Sequence, residues 1–271
     1  MTTTQRPALP SLPAVYRSRV GVELKEFFRQ RESVVFTLML PMLLLVVFGA
    51  VLNYRIGFGV TFTQYFMAGI IAAGILGASL QNMAISIATE RSDGTLKSLA
   101  GSPMPKSAYF LGKIAQVLAV SLAIIVILLF IGVVFYGVDL PSGGEWLTFA
   151  WVSLLGAAAC TLLGIAVSSL AKNGRSASAT VTPFALLLQF TSGVFFQFSS
   201  LPTWMQTAAS LFPLKWMAQG LRSVFLPQAL AVKEPAHSWE LGRVALVLGI
   251  WCVIGLFLCV RTFRWQDRGT S

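Results

Sequence analysis

Charge is what this sequence has least of. Asp, Glu, Lys and Arg make up 11% of its 271 residues, against about a quarter in a soluble globular domain. Meanwhile 56% of the residues are hydrophobic and the mean hydropathy is +0.75. A water-soluble fold is thereby excluded. The 20 Lys and Arg exceed the 10 Asp and Glu, but there is no polar surface on which that excess could form a nucleic-acid patch, so no such partner is expected. Histidine occurs once, at His237, which rules out a histidine-built metal cluster, and no metal site is expected. The three cysteines, Cys160, Cys252 and Cys259, fall in apolar runs, where a disulfide framework is not expected. A phosphate-cradling Gly-x-x-x-x-Gly-Lys-[Ser/Thr] motif is missing: Gly112-Lys113 lacks the earlier glycine and the following hydroxyl. No catalytic residue and no cofactor is therefore expected on this chain. All ten acidic residues fall in loops, tails or interfaces, which argues against an ion-coupled transporter built on an intramembrane carboxylate or histidine.

What the chain does have is long charge-free runs: Val34–Leu52, Thr61–Ala88, Ile114–Val138, Trp146–Ala171, Ser176–Leu214 and the shorter Val244–Val260. A spanning helix needs about 20 apolar residues. The fifth run is too long for one span and carries Pro183, Pro202 and Pro213, so it reads as one helix followed by short outer pieces. The expected fold class is all-α integral membrane with six transmembrane helices. The spans fall at about 33–53, 61–89, 113–137, 146–171, 177–200 and 241–262. Residues 1–32 form a cytoplasmic tail and amphipathic interface helix, 90–103 a coupling loop, and 201–226 short re-entrant outer helices. With six spans and the N-terminus inside, fifteen of the twenty basic residues face the cytoplasm. Seven spans would put the C-terminal arginines outside, so both termini are expected to be cytoplasmic, in a bacterial-type plasma (inner) membrane.

Three local patterns stand out. From Ala14 to Glu32, apolar residues alternate with Arg17, Lys25, Arg29 and Arg31, the pattern of a surface helix that offers basic groups to membrane lipid. From Glu90 to Pro103, a polar turn at Ser92–Gly94 interrupts the helix leaving the membrane, and a short helix restarts and stops before the proline. Polar stripes recur at helical spacing: Ser79, Asn82, Ser86 and Thr89 on span two, Ser178, Thr182, Gln189 and Ser192 on span five. They either pack helices or line a path. The aromatic rings of Phe184, Phe190, Phe195, Phe196 and Phe198 would suit an amphipathic cargo. Trp204, Trp216 and Trp239 would sit at headgroup level.

Glu90, Gly94-Thr95-Leu96, Leu99, Ser102-Pro103 and Gly112-Lys113 together resemble the signature loop of type-2 ABC exporter permeases, a group that includes bacterial drug and antibiotic exporters. Leu201-Pro202-Thr203-Trp204, Phe212-Pro213-Leu214-Lys215-Trp216 and Gly220-Leu221-Arg222 resemble the outer segment those permeases carry between spans five and six. The chain departs at Lys97, where an acidic residue is usual, and at Phe212, where asparagine is usual. The resemblance runs from about Val15 to Arg264. It implies the transmembrane subunit of an ATP-driven exporter, paired with a second permease chain as a homodimer and with two copies of a separate ABC ATPase subunit that holds ATP and Mg. It implies ATPase coupling through Lys25, Glu26, Arg29, Glu90, Arg91, Gly94, Thr95 and Leu96. A substrate path would run along Ser79, Asn82, Ser86, Thr182, Gln189, Phe190 and Phe196, and an outer gate would use Trp204, Phe212, Pro213, Trp216 and Arg222. The implied cargo is an amphipathic drug or antibiotic. Lipid-linked or polysaccharide cargo is the alternative within the class, and ion-coupled secondary transport the alternative outside it.

Overall fold

The computed structural model describes residues 11–52, 54–102 and 104–263. Pro103 and Arg264, which figure in the expectations above, lie outside the described residues, as do residues 1–10 of the expected cytoplasmic tail.

Helix α1 (Leu12–Arg29) starts behind Ser11 with a proline in its first turn and ends at Gln30, whose bent backbone leads directly into α2 (Arg31–Val51). A tight antiparallel hairpin, β1 (Arg55–Gly57) and β2 (Val60–Thr61), then reverses the chain. Helix α3 (Phe62–Leu76) opens on a capping box in which Thr61 and Gln64 satisfy each other's backbone amides. It runs through a π-helical turn at Gly77–Gln81 into α4 (Asn82–Ser92) without leaving the axis. Gly94, in the left-handed region at φ 78°, turns the chain into the short α5 (Thr95–Ala100). The longest helices follow, α6 (Lys106–Tyr136) and α7 (Glu145–Ser168). Then come α8 (Gly174–Thr191), α9 (Thr203–Ala209), α10 (Pro213–Phe225) and α11 (Leu241–Thr262), with 3₁₀ turns at Phe198–Ser200 and Gln228–Lys233.

Among the described residues, five helices are long and apolar enough to cross a membrane: α2, the continuous α3–α4 run, α6, α7 and α11. The protein is an all-α integral membrane protein. The expected fifth span behaves differently from the others. Helix was predicted to residue 200, but α8 stops at Thr191, and its first half carries Arg175, Ser176, Ser178, Thr180 and Thr182. Beyond it Gly193 adopts φ 74°, and a Cβ there would lie 2.9 Å from Phe198 Cβ, so the chain folds back tightly on itself.

Every residue of α3 except Gln64 is buried. This helix is the axis of the bundle, packed by α2, α6 and α10. Helix α10 is also enclosed, between α3, α7 and α11. Residues 201–226, expected as short re-entrant outer helices, form α9 and α10, and all of α10 except Ser223 and Phe225 is buried. Its charged residues turn inward toward partners contributed by α3, the Gly193 turn and the 3₁₀ turn before α11.

Candidate functional site

At the end of the bundle that carries α5, three elements meet through charge. Lys113 of α6 bonds Glu23 of α1 at 2.8 Å and, more closely, Glu90 of α4. Glu23 also pairs with Arg19 one turn earlier. Tyr109 donates to the second oxygen of Glu90 at 2.9 Å, and Ser86 donates to the first at 3.0 Å while accepting from Lys113 at 2.8 Å. Glu23 and Lys113 are each 1% exposed and Glu90 6%. The two positive and two negative charges cancel, and every carboxylate oxygen has a partner, the condition under which buried ions are tolerated. Burial raises the pKa of Glu23 above the usual carboxylate range, against the opposing pull of Lys113. Gly112 makes the arrangement possible: a Cβ there would lie 2.9 Å from Glu23 Cγ, so only glycine lets α1 lie this close to α6. Glu23, Glu26 and Glu90 bring one oxygen each within 4.8 Å of one another, but the Lys113 ammonium already supplies the positive charge a cation would bring.

The structure separates the residues assigned to coupling into an inward and an outward group. Glu90 and Arg91 were expected to meet a soluble partner. Glu90 instead faces inward, and Arg91 donates to the carbonyls of Ser168, at 2.6 Å, and Ala171 beyond the end of α7. Leu96 is likewise buried, against Met83, Ile87 and Tyr109. These three residues hold the loop onto the bundle. The outward charges are Lys25, Glu26 and Arg29 on α1 and Asp93 and Lys97 on the loop, with Thr95 also exposed and Gly94 partly so. The three acidic residues Glu23, Glu90 and Glu234 are all buried, although each stands in a stretch that the sequence places outside the spans.

A cavity of about 380 Å³ opens between α2, the α3–α4 run and α8, lined by Asn82, Thr182 and Gln189 together with Gln81, Ser178 and Phe36. Asn82 donates to Thr37 of α2 at 3.4 Å. Three of the seven residues assigned to the path thus meet in one space, and Gln81 and Thr37 join them unforeseen. Ser79 does not: it is fully buried and donates to the Ile75 carbonyl of its own helix. A stripe from Ser79 to Thr89 requires an unbroken α-helix, whereas the wider π turn at Gly77–Gln81 changes the angle between Ser79 and everything after it. Ser86 belongs to the charge cluster and a recess of about 110 Å³ beside it. Phe190 and Phe196 are half exposed outside the cavity, with Phe190 packed against Phe195 at 4.6 Å.

At the opposite end, Arg222 is 1% exposed. It donates to the Gly193 carbonyl, stands 3.7 Å from Glu234 and lies 4.1 Å over the Tyr65 ring. Trp216 is buried and donates to the Ser210 carbonyl at 2.8 Å, and Trp239 is buried too, so of the three tryptophans expected at headgroup level only Trp204 is exposed. Phe212 stacks on Trp251 at 6.3 Å and Pro213 occupies the first turn of α10. Lys215 is buried with its ammonium 3.6 Å from the Trp216 ring centre, and desolvation lowers its pKa to about 8. Arg222 was assigned as a gate residue on sequence likeness alone. Its location identifies it as the tie between α10 and the turn that ends α8.

Residues 19–226 match the family described as ABC-2 type transporter. The chain is 26% identical over 145 residues to YbhR of Escherichia coli (strain K12), a probable multidrug ABC transporter permease. That alignment covers 54% of this chain and 39% of YbhR, so the chain matches about two fifths of that relative's length. YvfS of Bacillus subtilis (strain 168), a putative transport permease, is 24% identical over 192 residues, covering 70% of this chain and 77% of the relative. The putative transport permease ycf38 of Porphyra purpurea is 24% identical over 263 residues, covering 91% and 90%.

Proposed function

Because the chain belongs to the ABC-2 type transporter family, we propose that it is the permease subunit of an ATP-driven exporter that moves an amphipathic small molecule, a drug or antibiotic, out of the cytoplasm or inner leaflet. Two copies of the chain pair as a homodimer, and two ABC ATPase subunits, which hold ATP and Mg, dock at the α5 end. That end is cytoplasmic, the membrane is a bacterial inner membrane, and α8 completes six spans with both termini inside.

The observation that carries this reading is the Arg19–Glu23–Lys113–Glu90 cluster. It fastens the amphipathic α1 and the loop between α4 and α5 to one helix, α6. A push delivered to Lys25, Glu26, Arg29, Gly94 or Thr95 is then transmitted to α4 and α6 together, and α4 forms one wall of the cavity. The cavity's mixture of Asn82, Gln81 and Gln189 with Phe36, Leu40 and Leu44 suits a cargo with both polar and apolar faces. A relative's name that includes multidrug supports the same cargo class.

The test is gentle purification of the chain from its native membrane, with mass spectrometry of what stays bound and an ATP-hydrolysis assay. The expected result is an equimolar soluble ATPase with vanadate-sensitive turnover. A chain that emerges alone and inert overturns the reading. For the cargo, Asn82→Leu and Gln189→Leu should each shift which compounds are exported while leaving basal ATP hydrolysis unchanged; an unshifted profile returns both residues to helix packing.

A further inference from the structure

The largest of the cavities described shares no helix with the proposed transport path. Helices α6, α7 and α11 enclose a groove of about 670 Å³, walled by Ile114 and Leu118, Leu154 and Ala158, and Leu256 and Val260.

Three observations say what fills it. First, its few polar atoms are already used. Thr161 donates to the Ala157 carbonyl at 2.7 Å and Cys259 to the Leu162 carbonyl at 3.0 Å. That leaves water or a polar cargo no free donor and only the lone pairs of one hydroxyl and one thiol, too few of the roughly two to four partners that hold a water in a cavity. Second, the groove has the depth of one leaflet. Its α7 wall runs from Leu154 to Ile165, which is about 17 Å at 1.5 Å per residue, a little over half of a hydrocarbon core about 30 Å thick. Its floor is made concave by the small side chains of Ala157, Ala158 and Thr161. Third, one end is charged. Lys106, Phe110, Ile114 and Val117 recur along α6 at steps of four, four and three, so they share a face. Phe110 packs edge-on against Phe263 of the α11 terminus at 5.1 Å, and exposed Lys106 stands one turn beyond that pair, where its flexible stem can lift the ammonium to headgroup level.

We propose that this groove is a lipid-binding site that holds one acyl chain of an anionic phospholipid from the leaflet at the α5 end, with the phosphate against Lys106. The inference rests on the membrane placement of the bundle and not on export or on an ATPase, so it stands or falls separately from the function proposed above.

The experiment is native mass spectrometry of the full chain released from polymer-encased membrane discs after a detergent wash that removes loosely held lipid. The wild-type chain should retain one phospholipid, with anionic headgroups enriched about fivefold over the bulk membrane, the size of preference one lysine at a charged lipid surface confers. Ala158→Trp, which fills the floor, should lose it. Leu122→Trp, which is 61% exposed on α6 but outside the groove, should keep it. Lys106→Gln should keep the lipid and lose the headgroup preference. A wild-type chain without retained lipid, or an Ala158→Trp chain that retains as much as wild type, overturns the proposal. A second measurement needs no tryptophan variant: phosphatidylglycerol with a photoreactive acyl chain, added to wild-type chain in vesicles, should label the segments around Ile114–Leu118 and Leu256–Val260. Equal labelling of lipid-exposed α2 overturns the site, and so does a disulfide between two copies of a Leu118→Cys chain, which would mean that a second copy covers the groove.

Discussion

Both ends of the bundle bury charge, but they finish the job differently. At the α5 end Arg19, Glu23, Lys113 and Glu90 join three elements, with all four carboxylate oxygens bonded and Arg19 Nε left without a partner among the described residues. At the α10 end a single pair, Arg222 and Glu234, stands 3.7 Å apart, and Arg222 Nε, one Glu234 oxygen and Gln219 Oε1 have no hydrogen-bond partner among the described residues. A buried network in which every carboxylate oxygen is bonded holds one geometry, because any movement exposes several ions at once. An incomplete one lies closer in energy to alternatives that would satisfy its orphaned atoms. Under the proposed function, the first end would transmit movement as a rigid joint and the second would be the end that opens.

Lys113→Met should break the comparison hardest. It leaves Glu23 and Glu90 buried without their shared cation, a change expected to cost about 3–5 kcal/mol of stability and to abolish any stimulation of the ATPase by cargo. Lys113→Arg keeps the charge and should keep part of both. Thermal unfolding in nanodiscs and cargo-stimulated hydrolysis check the two halves. If Lys113→Met unfolds like wild type, the α5-end cluster is no joint.

Arg222→Met sharpens the contrast from the other side. It removes the tie to the Gly193 carbonyl, but from a pair that is already poorly satisfied, so about 1–3 kcal/mol is expected. The loss should be local, appearing as faster water access to the Gly193–Phe198 turn. Buried, unpartnered Ser192 reports it: in a Ser192→Cys background a membrane-impermeant thiol reagent should react faster once Arg222 is replaced. Unchanged reactivity with a large global destabilisation would make the two ends alike.

How much of this was legible in the sequence follows from which interactions are local. Hydropathy follows the helix where a charge-free run is bounded by charges, as at Val244–Val260 between Arg243 and Arg261 within α11, because the bilayer requirement acts on contiguous residues. They ran past the end of α8, because the Gly193 turn depends on Phe198 and Arg222 packing against it from elsewhere in the chain. Glu23, Glu90 and Lys113 each read as an interfacial charge, since 67 and 23 residues separate them and only the fold makes them neighbours. The likeness of Gly112-Lys113 to an exporter motif was visible, but its physical reason, helix approach at one residue and ion pairing at the next, was not. Asn82 reaches the cavity because simple helical spacing resumes after the π turn, and Thr182 and Gln189 because α8 is regular between them, whereas Ser79, inside the π turn, is turned away.

The smallest effect expected concerns pH at the α10 end, and its sign distinguishes a gate from a plug. Desolvation lowers the pKa of Lys215 to about 8 from an ordinary 10.5, with Glu240 and Glu234 opposing the shift. Between those values an opened segment, with Lys215 in water, binds more protons than the closed one. Closure therefore strengthens as pH rises from about 8 towards 10.5, and below 8 the closed state carries the cost of a buried ammonium. Hydrogen exchange across Gly193–Trp216, corrected for the intrinsic pH dependence of amide exchange, should slow over that window in the wild-type chain. Lys215→Met removes the titrating group and should flatten the response. If both chains respond alike, the charge at this end does not sense opening, and the incomplete Arg222–Glu234 pair would have to be read as a static feature of a permanently closed segment.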